Sequence, residues 1–107
     1  MNVQKVLKEI DELIIDREYE LAEKYLLQLI EKYPDHPEVH YLLGDVYCKL
    51  EKFDIAVKHE KIAYKILPGN PQIIHLLGWA YFMSGDIASG REYMEKSLEL
   101  LPDELIF

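Results

Sequence analysis

Residues 42–69 read LLGDVYCKLEKFDIAVKHEKIAYKILPG, and residues 76–103 read LLGWAYFMSGDIASGREYMEKSLELLPD. The two stretches align without a gap at an offset of 34 residues, placing Gly44 on Gly78, Tyr47 on Tyr81, Ala56 on Gly90 and Pro68 on Pro102. The same frame reaches back towards the start of the chain. Pro34 precedes Pro68 and Pro102, Ala22 precedes Ala56 and Gly90, and Tyr19, Phe53 and Ile87 form a bulky series; Pro37 pairs with Pro71. A period of this length marks helix-turn-helix repeats, in which no unit buries its apolar face alone. The frame divides one domain, 1–107, into units at approximately 3–36, 37–70 and 71–104, with 105–107 as a tail or the start of an incomplete capping helix.

Each unit reads as two antiparallel helices. In the second, Val39, Leu42, Leu43, Val46, Tyr47 and Leu50 recur at helical spacing. Glu51-Lys52 breaks the run, and a second helix starts through Ile55, Ala56, His59, Ile62, Ala63, Ile66 and Leu67. Pro68-Gly69 stops it, since proline cannot continue the hydrogen-bond ladder and glycine accepts a left-handed exit. Asn70 is an N-cap, with Pro71 in the first helical position where its missing N–H costs nothing. His36-Pro37 repeats that junction one unit earlier. The third unit predicts helices over 73–83 and 87–101 around Ser84-Gly85-Asp86, and the first predicts 3–15 and 19–32 around Asp16-Arg17-Glu18. Isolated helices shorter than ~12–15 residues are marginal in water, so stacking must hold these together. Gly44 and Gly78 fall mid-helix, where glycine costs about 1 kcal/mol relative to alanine. They are expected where another backbone comes too close for a side chain, with Ala56 and Gly90 as the facing small positions.

Composition narrows the function. With 20 acidic and 12 basic residues the net charge is −8, which disfavours nucleic acid and anionic membranes, since both reward clustered Lys and Arg. The last third, 69–107, is the most acidic, and its bases are only Arg91 and Lys96. A single cysteine, Cys48, excludes an intrachain disulfide and fits a reducing, cytoplasmic compartment. No basic start leads into an apolar run, so no secretory signal is expected. No segment approaches the ~18 consecutive apolar residues of a membrane span.

Leu43-Gly44 with Tyr47, Ala56, Ala63 and Pro68 resembles the tetratricopeptide repeat signature. Leu77-Gly78 with Tyr81, Gly90, Ser97 and Pro102 resembles it again, and the likeness covers nearly the whole chain. The departures are informative. The first unit keeps Ala22 and Pro34 but has Glu9-Ile10 in place of Leu-Gly, which implies a less tightly crossed helix pair. The family's frequent tryptophan is replaced by Val6, His40 and Ile74. Its second bulky position holds Leu26, Glu60 and Met94, so Glu60 is out of pattern and expected to be partly exposed.

The resemblance implies an all-α, right-handed α-solenoid of six antiparallel helices. First helices line a concave groove and second helices form the outer wall. It further implies a non-enzymatic interaction module, adaptor or chaperone-like, that holds a peptide or helix of another protein. Matched to this frame, the groove positions fall on Gln4, Leu7, Asp11, Ile14 and Ile15; on Glu38, Tyr41, Asp45, Cys48 and Lys49; and on Gln72, His75, Trp79, Phe82 and Met83. One subtype of the family clamps a C-terminal carboxylate with lysines, an arginine and asparagines. The matching positions here hold Leu7, Asp11, Leu42, Glu38, Gln72 and Leu76, so acidic C-termini of the chaperone type are expected not to bind.

The residues themselves single out the last groove set. Ile74, Leu77, Ala80 and Tyr81 already supply a core face, which leaves Trp79, Phe82 and Met83 surplus to it. Two readings stand. Either they pack within the solenoid or against Leu105-Ile106-Phe107, or they form an exposed apolar groove flanked by Asp11, Glu38 and Asp45. The second would accept a partner segment with basic edges. The candidate partner-binding residues are Leu7, Asp11, Glu38, Tyr41, Asp45, His75, Trp79, Phe82 and Met83.

Other constellations carry less. His36 and His40 lie four apart, and Cys48 and His59 are further candidate ligands. Yet His40 falls on a core position, His36 at a helix start, and neither CxxC nor HExxH spacing appears. Glu9 with Glu12 and Glu92 with Glu95 read as solvated faces. There is no Gly-rich phosphate loop and no serine-histidine constellation, and the serines are Ser84, Ser89 and Ser97. No catalytic residue, metal or cofactor is expected. The end of the stack is the remaining feature, because a solenoid needs polar caps. The last helix carries Tyr93, Met94, Leu98 and Leu101 on a face that a following helix would normally meet. The tail folds back, the end self-associates as a two-fold dimer, or the chain is cut from a longer protein. Self-association through Tyr93, Met94, Leu98, Leu101 and Phe107 is favoured, since exposed apolar patches mark interfaces. It would make the chain a structural assembly unit instead.

Overall fold

The computed structural model describes residues 2–100. Among them are six helices and no strand: α1 (Val3–Ile15), α2 (Tyr19–Lys32), α3 (Pro37–Lys49), α4 (Phe53–Ile66), α5 (Pro71–Ser84) and α6 (Ile87–Glu99). They stack as three antiparallel pairs in a right-handed α-solenoid. Leu101, Pro102 and the 105–107 segment, Phe107 included, lie outside the described residues.

Side-chain caps start three of the helices. Asn70 accepts the backbone N–H groups of Gln72 at 2.9 Å and Ile73 at 3.1 Å, with Pro71 in the first turn where its missing donor leaves nothing unpaired. Asn2 caps α1 through Lys5 N–H, and Asp86 caps α6 through Ser89 N–H. His36 starts α3 without a side-chain bond, leaving Pro37 as the main signal there.

The exits differ from expectation. Gly69 is not left-handed; α4 ends at Ile66, before Pro68. The left-handed residues are Arg17 (φ 63°), Glu51 (φ 59°) and Gly85 (φ 102°), one per unit at the same frame position. Each closes a first helix with the same six-residue bond: Glu18 N–H to Leu13 O at 2.8 Å, Lys52 N–H to Tyr47 O at 2.8 Å and Asp86 N–H to Tyr81 O at 3.0 Å. Only the third unit uses the residue that adopts this conformation without steric cost.

Packing concentrates where paired helices cross. A Cβ added at Gly78 would lie 3.1 Å from Met94 N and 3.2 Å from Gly90 O. One added at Gly90 would lie 3.0 Å from both Gly78 O and Phe82 N, so α5 and α6 meet backbone to backbone. At Gly44 the neighbour is not a backbone but the Glu60 carboxyl, which occupies the volume the missing side chain leaves. In the first unit Ile10 replaces the glycine and is itself buried, and α1 packs on α2 less closely than α3 on α4. The continuous core runs through Leu7, Leu26, Val39, Leu43 and Val46. Each such side chain contributes roughly 1.5–3 kcal/mol relative to exposure.

Gly90→Ala sets two effects against each other. Helix propensity gains about 1 kcal/mol, while overpacking against two α5 backbone atoms costs about 1–3 kcal/mol. Backbone cannot yield as a side-chain tip can, so a net loss is expected. Thermal denaturation followed by circular dichroism should show a melting temperature lower by several degrees, at ~4–8 °C per kcal/mol for a domain of this size. An unchanged or higher value would contradict the close crossing.

Candidate functional site

The concave face is built from α1, α3 and α5, the first helix of each pair. A hollow of about 560 Å³ is walled by Gln4, Lys8 and Asp11 of α1, Glu38 and Tyr41 of α3, and Gln72 of α5. A second hollow of about 320 Å³ shares Gln4, Glu38, Tyr41 and Gln72 and continues past His36, Leu67 and Asn70. The structure thus brings Asp11, Glu38 and Tyr41 together. Leu7 also lines the larger hollow, at its floor: at 1 % exposure it belongs to the core and offers little surface. Cys48 is buried too, and burial, with Glu60 and Asp45 nearby, pushes its thiol up to about 12. The reactive thiolate is therefore not populated at neutral pH. Asp45 is half-buried, and burial is the main cause that raises its carboxyl above the usual range; Lys49 partly offsets this. Tyr41 rises to about 12 for the same reason, with Asp45, Glu60 and Asp11 adding to it.

One row of α5 leaves this hollow and runs along the helix from Gln72 through His75 and Trp79 to Met83. Trp79, Phe82 and Met83 keep 44 %, 42 % and 43 % of their surface exposed. Intrachain packing covers only about half of each. Phe82 serves both sides, since one edge of its ring covers Gly90. None of the three lines the acidic hollow itself.

Glu60 reverses its expectation. It is 0 % exposed, and among the described residues neither carboxyl oxygen has a hydrogen-bond partner. Burial, with Asp45 adding to it, raises its pKa from 4.5 to about 10. The group is a neutral acid at pH 7.

His40 is buried, in line with its core position. Its Nε2 lies 2.6 Å from Pro34 O, an atom that only accepts, so Nε2 carries the proton and Nδ1 is the acceptor. His59 Nδ1 then donates to His40 Nδ1 at 3.1 Å. The ring centres are 5.4 Å apart, which leaves little more than the two ring radii beyond the N···N distance. The nitrogens face one another in line and share a proton rather than converging on a third point. Burial first, then His40, holds His59 below its ordinary pKa. Among the described residues no three His, Cys, Asp or Glu side chains are placed to hold a metal ion, and no helix is long and apolar enough to cross a membrane.

At the other end, Tyr93 is engaged within the chain. Its ring stacks on Tyr81 at 5.6 Å and meets Tyr64 edge-on at 5.3 Å, with Lys96 over it at 5.0 Å. Met94 is half-buried beneath α5. Leu98 is 58 % exposed. Leu101 and Phe107 lie outside the described residues. Sequence reasoning missed a trough of about 480 Å³ between α1 and α2, lined by Glu9 and Ile10 and by the apolar Val6, Leu13, Leu21 and Tyr25. Its signal was present: Val6, Leu13, Leu21 and Tyr25 are at the frame positions of His40, Tyr47, Ile55 and His59.

A tetratricopeptide repeat model matches residues 7–71, and a second one matches 71–104. A TPR repeat-containing protein of Methanocaldococcus jannaschii is 29 % identical over 89 residues, which is 83 % of this chain and 16 % of that protein. A cell division cycle protein 27 homolog of Arabidopsis thaliana is 32 % identical over 89 residues, again 83 % of this chain but 10 % of the relative. The chain spans between 7 % and 16 % of the length of the curated relatives it matches. Among solved structures, the first TPR of Spaghetti (RPAP3), bound to the HSP90 peptide SRMEEVD, superposes with a TM-score of 0.86 at 21 % identity, covering 96 % of this chain and 84 % of that one. MamA from Desulfovibrio magneticus RS-1 gives 0.85 at 21 % identity, covering 92 % and 56 %. Likeness at this level of identity establishes the fold.

The Glu60 acid sets a pH dependence whose sign is fixed. Below about pH 4.5 the carboxyl is protonated in both folded and unfolded chains and costs nothing extra. As pH rises towards 10 only the unfolded chain ionises, so stability is progressively lost. At pH 7 the penalty is about 3 kcal/mol, from ~1.4 kcal/mol per pH unit. Glu60→Leu, the residue type at frame position 26, should raise stability at pH 7 and flatten its pH dependence between 5 and 8. Urea unfolding of both proteins across that range checks this; parallel profiles would contradict it.

Proposed function

This chain belongs to the tetratricopeptide repeat family, and on that premise we propose that it is a non-enzymatic interaction module. Its concave face holds a peptide or helix of another protein, apolar along its centre and basic at its flanks. The observation that carries this is the half-exposed row Trp79, Phe82 and Met83, continuous along α5 with a hollow walled by Asp11 and Glu38. Aromatic residues and methionine provide large contact area at interfaces, and the carboxylates favour a cationic edge. A neighbour of the same fold solved with a bound peptide supports a protein ligand. A buried, free Cys48 supports residence in a reducing compartment such as the cytoplasm.

The chemistry of that neighbour's peptide is not expected to carry over. SRMEEVD ends in acidic groups. At the carboxylate-clamp positions of this chain Leu7 and Leu42 are buried hydrocarbon, and Asp11 and Glu38 repel negative charge. A second reading is favoured by Leu98, 58 % exposed on the outer side of the last helix pair. There the chain would be an assembly unit, joined to copies of itself through the end of the stack by Leu98 with Met94, Leu101 and Phe107.

Three measurements separate these readings. Quantitative affinity capture from the native cell should lose the principal partner on Trp79→Ala, by tenfold or more as expected of a central aromatic anchor worth at least ~2 kcal/mol. Unchanged recovery would contradict the concave-face reading. Light scattering coupled to size exclusion should show any oligomer unaffected by Trp79→Ala and dispersed by Leu98→Glu; a strict monomer at high micromolar concentration defeats the second reading. Calorimetry with SRMEEVD should detect no binding tighter than roughly 100 μM, about −5.5 kcal/mol, and submicromolar affinity would overturn the charge argument.

A further inference from the structure

We propose that Glu60 is the anchor for a lysine or arginine side chain of the partner, which enters the concave face at the Tyr41–Asp45 row and pairs with the Glu60 carboxylate. This deepens the concave-face reading and rests on it. The placement of the carboxyl comes first. It fills the volume left by the missing side chain of Gly44. Gly44 lies three residues after Tyr41 and four before Cys48, so on the helix surface the carboxyl sits beside both. Tyr41 lines the hollow, and Asp45 lies four residues on, one helical turn along α3. Glu60 is thus immediately behind the α3 part of the concave face, although it belongs to α4.

The carboxyl is fully buried, and neither oxygen has a partner among the described residues. The same frame position holds Leu26 in the first unit and Met94 in the third, so hydrocarbon fits it. A buried acid without partners carries a desolvation cost that hydrocarbon would not. The group it lacks is a cationic donor. Among the described residues no side chain supplies one. Lys49 on α3 acts on Asp45 and Cys48 and leaves Glu60 unpartnered. On α5, the other helix packed against α4, the titratable side chains are His75 and Tyr81, and neither bonds to the carboxyl. Asp11 and Asp45 bring two further carboxylates towards the same region, which attracts a cation and repels an anion. A divalent metal is a poor match, since no three ligating side chains converge among the described residues. A long basic side chain is a good one: its hydrocarbon stem can lie along Tyr41 while its head reaches the carboxyl.

The proton balance follows. In the free protein the carboxyl is neutral at pH 7. On insertion of the cation its O–H bond breaks, the proton passes to solvent, and N–H···O bonds form to the resulting carboxylate. The basic side chain keeps its charge, so one proton leaves per complex formed. Affinity therefore rises with pH, by up to tenfold per unit while the free protein remains protonated.

The test uses helical peptides selected by display on the intact chain, with every position randomised. Selected peptides should carry Lys or Arg at one fixed position. Replacing that residue by norleucine should weaken binding to the native chain at least tenfold and leave binding to Glu60→Leu unchanged. Calorimetry at pH 7.5 in phosphate and in Tris should report about one proton released per peptide for the native chain and none for Glu60→Gln. Glu60→Leu is expected to be more stable than the native protein, so loss of folding does not obscure the result. Peptides that need Trp79 but show no fixed basic residue, no dependence on Glu60 or no proton release overturn this inference alone. Failure to select any peptide overturns the concave-face reading and this inference with it.

Discussion

Backbone meets backbone where α5 crosses α6, with Gly78 O and Gly90 only about one methyl group apart from clashing. That approach sets the geometry of the solenoid. A helix of thirteen or fourteen residues has little stability of its own, so each must gain it from a close partner. Small residues at the crossing let the helices come near enough for larger ones beside them, Ile74 and Leu77, to be buried. The next pair then packs on the surface the first has left. Stability in such an array is a sum of unit and neighbour terms, and no pair stands alone.

The second pair departs from this scheme in one respect. Gly44 faces not a backbone but the Glu60 carboxyl, and a polar group takes a place that hydrocarbon fills in the other pairs. The two residues are complementary: the glycine makes the volume and the acid occupies it. On the same pair, His40 and His59 share a proton between α3 and α4, and His40 ties α3 to the preceding turn through Pro34 O. The central unit is therefore held by polar as well as apolar contacts, while the third pair uses the Tyr81–Tyr93–Tyr64 cluster in the same region.

The fold was legible because its information is periodic. Pro34, Pro68 and Pro102 with the small-residue series gave the unit length, and α1 and α2 occupy the expected 3–15 and 19–32. The left-handed exits at Arg17 and Glu51 were hidden, because those residue types do not advertise that conformation; only Gly85 at the same frame position hinted at it. Leu7 faces the hollow as its frame position implies, but its burial was not legible, because exposure also depends on what the neighbouring helix covers. Glu60 was misjudged for a related reason. Charge argues for the surface, and the volume that buries it belongs to Gly44 on another helix. The Trp79 row was visible as an excess of apolar residues, but its half-exposure required the packing of Phe82 over Gly90 to be known.

Native-state hydrogen exchange on the intact chain is the most direct measure of the nearest-neighbour account. Protection should peak in α3, α4 and α5, which are packed on both sides, and fall towards α1, whose partner lies less close. Weak denaturant should open the first pair before the centre, with each opening lowering protection in the pair beside it. Equal protection in all three pairs, or a first pair that opens without effect on its neighbour, would contradict it.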